Sequence, residues 1–209
     1  IEYYFRFSEI PFFIKHFIIN LRLNFLNYKT KKKKIIVYVN TLKHFYHQKN
    51  YLKSIKNKIS FITFSGDLIN SLPKKDIKYF QPLILVNPSF KFHKKPLSKE
   101  LYLYKVFKRF FSENSIKLVI GVEGDCPIFD ILCKVSSEER VKSVCVQWGT
   151  YPFIRPRYTL NNMSCNYFLT WGDFFQSQLK SKNKKVKFIS TGMKSSKKKI
   201  KKENLITFI

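Results

Sequence analysis

The chain is short of acid. Thirteen Asp and Glu stand against 40 Lys and Arg, a net charge of +27 over 209 residues. It is also short of arginine: Arg6, Arg22, Arg109, Arg140, Arg155 and Arg157 are the only six, and the other 34 basic residues are Lys. Six Gly and eight Pro exclude collagen-like and low-complexity classes. The four cysteines, Cys126, Cys133, Cys145 and Cys165, form no CxxC pair and have no His at ligand spacing, which argues against a zinc site. They read as reduced thiols, three of them small buried hydrophobes in apolar runs. No uncharged apolar run is long enough for a membrane span. A signal-peptide pattern, a P-loop, a GxSxG elbow and a GxGxxG fingerprint are all missing. The chain opens on Ile1 in place of Met and stops within the apolar run Leu205–Ile209, which reads as an unfinished strand. A piece of a longer protein is therefore expected.

What remains is an ordinary globular balance, 44% apolar and 25% charged, so disorder is excluded for most of the chain. The charge has two readings. A joint excess of Lys, Ile, Asn, Phe and Tyr fits AT-rich codon drift, with lysines on solvated faces, and sites that grip phosphate favour the bidentate fork of Arg. The alternative is a surface for a polyanion, an anionic membrane or nucleic acid. Because no nucleic-acid motif is present and the basic residues are spread rather than striped, a nucleic-acid partner is not expected.

Residues 1–34 read as an N-terminal helical segment. Within 10–28, Ile14, Phe17, Ile18, Leu21 and Phe25 fall at helical spacing, while Lys15, His16, Asn20, Arg22 and Asn24 lie largely elsewhere on the wheel. A tract from Lys31 to Lys34 follows. Packing on the domain core is the expectation, as most amphipathic helices are buried; the alternative is a helix lying in a membrane interface. From residue 35 the pattern alternates. Strands are expected at 35–39, 59–64, 83–86, 118–122, 141–146, 167–170 and 186–190. Helices are expected at 41–57, at 67–80 with a break near Pro73, and at 97–115, 127–139 and 173–182. Strands that are apolar almost throughout, separated by helices, predict an α/β fold: a doubly wound, mostly parallel, Rossmann-like sheet over 35–193. Residues 194–202, SSKKKIKKE, read as a charged linker, and 203–209 as the start of a second domain.

Ligands of such sheets bind outside the carboxyl ends of the strands, which directs attention to three turns. The first is Gly121-Val122-Glu123-Gly124-Asp125-Cys126-Pro127. Glu123 and Asp125 bring two carboxylates to a strand end, suited to a general base on a sugar or polyol hydroxyl or to capping the next helix. Gly121 and Gly124 permit close approach or positive φ, and Pro127 suits a first helical turn. The second turn is Gln147-Trp148-Gly149-Thr150. Gln147 and Thr150 offer neutral hydrogen-bonding groups, and Trp148 either a stacking plate for a sugar or a core filler. The third is Trp171-Gly172-Asp173, with Asp173 as the expected N-cap; Thr191-Gly192 follows the last strand. Between the second and third, Arg155 and Arg157 either hold a phosphate or carboxylate or are solvated loop charges. His44 and His47 have i,i+3 spacing but no acidic residue near in sequence, so no metal site is expected there.

The succession Gln147-Trp148-Gly149, Trp171-Gly172 and Thr191-Gly192, each closing a strand, resembles the N-terminal domain of GT-B-type glycosyltransferases, in the group that makes bacterial surface polysaccharides and teichoic-acid-like polymers. The resemblance covers about residues 117–209, and more loosely the alternation from residue 35. It implies two Rossmann-like domains, a nucleotide-sugar donor bound mainly on the C-terminal one, and an acceptor facing this half. The donor is a substrate, and neither cofactor nor metal is expected. Glu123 or Asp125 becomes the expected base. Gln147, Trp148, Gly149, Thr150, Gly172, Asp173, Thr191 and Gly192 line the expected cleft, with Arg155 and Arg157 on acceptor anions. The acceptor is a glycan or lipid-linked precursor, handled in the cytoplasm, peripherally at the inner membrane face. The family's Gln-His-Gly is Gln-Trp-Gly here, so any chemistry done by that His falls to another group or is lost. A nucleotide-sugar epimerase of the same architecture, a basic nucleic-acid-binding protein and an inactive scaffold are the alternatives.

Overall fold

A computed structural model describes residues 14, 16–21, 23, 33–83, 99–122, 127–149 and 162–192. Among the described residues six strands form one sheet: β1 (Ile35–Tyr38), β2 (Ile59–Ile62), β3 (Leu118–Val122), β4 (Lys142–Val146), β5 (Tyr167–Thr170) and β6 (Lys187–Ser190). Between them run α1 (Leu42–Tyr51), a 3-10 stretch (Lys53–Lys58), α2 (Gly66–Ser71), α3 (Lys74–Ile77), α4 (Lys99–Ser112), α5 (Pro127–Glu138) and α6 (Asp173–Lys180). The strand order is β2-β1-β3-β4-β5-β6, and each pairing is parallel. The chain is an α/β protein with a Rossmann-like sheet.

The inner strands β1 and β3 are apolar on both faces because both faces are covered, whereas the edge strand β6 buries only Phe188. Along β1, Ile36 and Tyr38 join one core with Leu103, Phe107 and Phe110 of α4 and Leu132 of α5. Val37 and the following Val39 join the other, with Phe45 of α1, Leu68 of α2 and Ile77 of α3. Each fully buried aliphatic or aromatic side chain contributes about 1.5–3 kcal/mol of transfer free energy. Hydroxyls start the helices where acid is scarce: Thr41 Oγ1 accepts from the His44 amide at 3.2 Å, and Ser65 Oγ from the Leu68 amide at 3.2 Å. Pro73 divides 66–77 into two short helices, as expected, and Pro127 opens α5. Beyond α5, Arg140 takes a left-handed φ of 56°, with Val141 N–H on Ser136 O at 2.7 Å and Arg140 N–H on Ser137 O at 3.1 Å. This is a Schellman closure with Arg at the position glycine usually holds.

The third expected strand, 83–86, lies mostly outside the described residues. Phe80 forms a parallel bridge to Phe61 on the outer side of β2, while Leu83 is buried outside any strand and 84–86 lie outside the described residues. The N-terminal segment differs more. Its described residues, 14, 16–21 and 23, are helical and do pack on the core, but by another face. His16, Ile19, Asn20 and Leu23 are buried, whereas Ile14, Phe17, Ile18 and Leu21 are more than half open or close to it. Polar groups on that buried face find partners inside the protein. His16 Nδ1 meets the Tyr102 hydroxyl at 2.7 Å, its ring lies 4.6 Å from that of Phe64, and Asn20 Nδ2 donates to His16 O at 2.8 Å. The linker 194–202 and the run from Leu205 lie outside the described residues.

Candidate functional site

With all strands parallel, every strand-to-helix turn opens on one edge of the sheet. The strand order reverses between β1 and β3, since β1 is followed by a neighbour on one side and later by β3 on the other. Crevices of such sheets form outside the carboxyl ends at that reversal. Along that carboxyl edge the described groups are Val39 to Thr41 after β1 and Gln147 to Gly149 after β4, nearest the reversal, then Trp171 to Asp173 after β5 and Thr191 and Gly192 after β6, farther out. Glu123 and Asp125 stand in sequence between the end of β3 and the start of α5, outside the described residues, as do Thr150, Arg155 and Arg157.

Gln147 is fully buried, and both ends of its amide are engaged. Nε2 donates to Gly149 O at 2.8 Å, and Oε1 accepts from the Trp171 amide at 2.8 Å. The side chain fastens the turn after β4 to the turn after β5. The next turn is tied similarly: the Thr191 amide donates to Thr170 O at 2.9 Å, and Thr191 Oγ1 to the same carbonyl at 3.2 Å. Gly192 has φ +73, a conformation that side chains rarely adopt. Gly149 and Gly172 border open space, where an added methyl group would touch nothing among the described residues. Asp173 is exposed and is the first residue of α6. Gly172 holds the N-cap position with no side-chain cap, which corrects the expected capping role of Asp173. At β3, Gly121 is required by packing, because the Phe129 ring of α5 occupies the space a Cβ would need.

Comparisons of the chain with family models, with curated proteins and with solved structures find no match. The site therefore rests on its own geometry.

Sequence reasoning separated two groups that the fold joins. Trp148, half-buried after β4, packs edge-on against His44 and His47 of α1, with ring centroids 4.8 Å away in each case. Since α1 follows β1 and β3 lies between β1 and β4, this contact bridges the end of β3, at the reversal. Burial lowers the pKa of both imidazoles, and His47 lowers that of His44 further, so both are neutral at neutral pH. His47 Nδ1 and the amide of the fully buried Gln48 are enclosed with no hydrogen bond among the described residues. The signal available was the i,i+3 pair of His just after an apolar strand and a Thr cap. Spacing alone does not point from it to Trp148, because that proximity depends on strand order. Among the described residues no three His, Cys, Asp or Glu side chains gather as a metal-holding group.

Proposed function

We propose that this chain is the acceptor-side domain of a GT-B-type glycosyltransferase, which passes a sugar or polyol from a nucleotide-activated donor to a surface-glycan precursor. The observation that carries the reading is the alignment of Gln147-Trp148-Gly149, Trp171-Gly172 and Thr191-Gly192 along one carboxyl edge of an all-parallel sheet, on neighbouring strands that run outward from its order reversal.

In this reading Glu123 or Asp125 takes the proton of an acceptor hydroxyl. The freed oxygen bonds to the activated carbon of the donor, and the bond to the nucleotide phosphate breaks. Arg155 and Arg157 hold an anionic group of the acceptor. Gln147 is a positioning residue, because its amide is committed to Gly149 and Trp171. Trp148 stands where the resemblance has an imidazole, and the two rings packed on it are imidazoles of α1. His44 and His47 are thus the groups that take over at that position, as neutral rings able to accept or donate a hydrogen bond.

The resemblance puts the donor on a second domain, so the test uses a protein carrying both halves. Nucleotide release is measured across a panel of nucleotide sugars, with and without a crude lipid-linked acceptor. Acceptor-dependent release is expected, and Glu123→Ala or Asp125→Ala lowers kcat by about a hundredfold or more. Unchanged turnover in both variants removes the base assignment. An epimerised sugar, or release that ignores the acceptor, transfers the fold to the epimerase reading. No turnover with any donor, from folded protein, overturns the enzyme reading.

A further inference from the structure

Seven large apolar side chains are exposed among the described residues, and four of them form one stripe. Ile14, Phe17, Ile18 and Leu21 stand at i, i+3, i+4 and i+7 of the N-terminal helical segment and are 50–57% exposed. The other three, Tyr46, Phe174 and Ile189, lie on separate elements. The stripe does not hold the helix to the protein. That is done from the opposite side by Ile19 and Leu23 in the core and by His16 on Tyr102 and Phe64.

The charge around this helix is one-sided in sequence. Residues 10 to 66 contain 12 Lys and Arg and no Asp or Glu. Those described with exposed side chains include Lys34, Lys43, Lys53, Lys56 and Lys58. An aliphatic and aromatic stripe calls for an apolar medium, and the lysines call for an anionic one. Nucleic acid provides only the second. A second copy of the chain would bring another net charge of +27 to the contact, which opposes it. An anionic bilayer provides both, an acyl boundary beneath a layer of phosphates. Among the described residues no helix is long and apolar enough to cross a membrane, so the mode available to this one is to lie in the interface.

We propose that the chain docks on an anionic lipid bilayer through the outward face of its N-terminal helical segment, with Ile14, Phe17, Ile18 and Leu21 entering the headgroup–acyl boundary. The helix rests near the carboxyl end of β2: Ile19 Cδ1 lies 3.4 Å from where a Cβ on Gly66 would stand, and the His16 ring packs tilted against Phe64. Docking therefore sets the carboxyl edge of the sheet beside the bilayer. The proposal stands apart from the transferase reading and is tested without turnover.

The full chain is sedimented with phosphatidylcholine vesicles, with and without phosphatidylglycerol as a third of the lipid. Binding is expected only with phosphatidylglycerol. The doubly substituted Phe17→Asp, Ile18→Asp protein keeps its circular dichroism, because both sites are exposed, and partitions roughly tenfold to a hundredfold more weakly. In parallel, Phe17→Trp adds an emission that shifts to the blue on vesicles and is quenched by lipids brominated in the acyl chain. Equal binding of the doubly substituted and parent proteins overturns the proposal in favour of charge adhesion alone. An absence of acyl-chain quenching, or of binding to phosphatidylglycerol, overturns it as well. A dimer in solution that the double substitution dissociates assigns the stripe to a second copy instead.

Discussion

Acidification from about pH 7.5 to about pH 5 tests the account of the N-terminal helix most directly, because one buried imidazole lies under it. Burial pushes the pKa of His16 from 6.5 down to about 4. Its hydrogen-bond partner, the Tyr102 hydroxyl, is pushed up to about 12 by burial and stays neutral throughout. Between 6.5 and about 4 the unfolded chain binds a proton that the folded chain refuses, so unfolding takes up protons and stability rises with pH. The contribution of His16 is thus complete above pH 6.5 and lost progressively as the pH falls toward 4. Over the chosen interval the loss is about 2 kcal/mol. Urea unfolding of the parent and of His16→Leu at both pH values isolates it. The substitution lowers stability at the higher pH, and it shrinks the acid-induced loss by about 2 kcal/mol, since the carboxylates and the other histidines titrate alike in both proteins. Amide exchange at residues 16–21 should quicken before the rest of the sheet, as protonation first releases the helix. An acid-induced loss of equal size in both proteins would refute the reasoning.

Other outcomes follow from single contacts. Gln147→Leu leaves the Trp171 amide and the Gly149 carbonyl without their partner and lowers stability by about 2 kcal/mol in urea melts. Gly121→Ala forces the Phe129 ring aside and costs about 1–3 kcal/mol, and Phe129→Leu in the same protein makes the two changes less than additive. Arg140→Gly relieves the left-handed residue after α5 and raises stability by about 1 kcal/mol. Lys49→Met removes the cation 2.6 Å from the buried Asp76 carboxylate and lowers stability by about 3 kcal/mol, measured by thermal unfolding.

The sheet was legible in the sequence because its strands are buried on two faces. Ile35 to Val39 and Leu118 to Val122 are apolar almost throughout, which no half-exposed strand would be. The break at Pro73 and the start at Pro127 were legible from proline's backbone alone. The orientation of the N-terminal helix was not. Periodicity assigns the apolar stripe to the core, and what reverses it is a hydrogen bond and a ring contact from His16 to residues far along the chain. The partners of Gln147 and the meeting of Trp148 with His44 and His47 were hidden for the same reason. Each joins turns whose proximity comes from strand order, which periodicity does not carry.

The pairing of β1 with β3 has a kinetic consequence. β3, β4, β5 and β6 are laid down in chain order, each beside its predecessor, so their contacts close short stretches of chain. Ile35 instead meets Leu118, after β2 and four helices have intervened. Closing that span loses the most chain entropy for its first contact. Assembly is then expected to begin in the half from β3 onward, with β1, β2 and the helices around them adding last. On that order, Ile36→Val or Val37→Ala mainly speeds unfolding, whereas Val119→Ala or Phe168→Leu slows refolding.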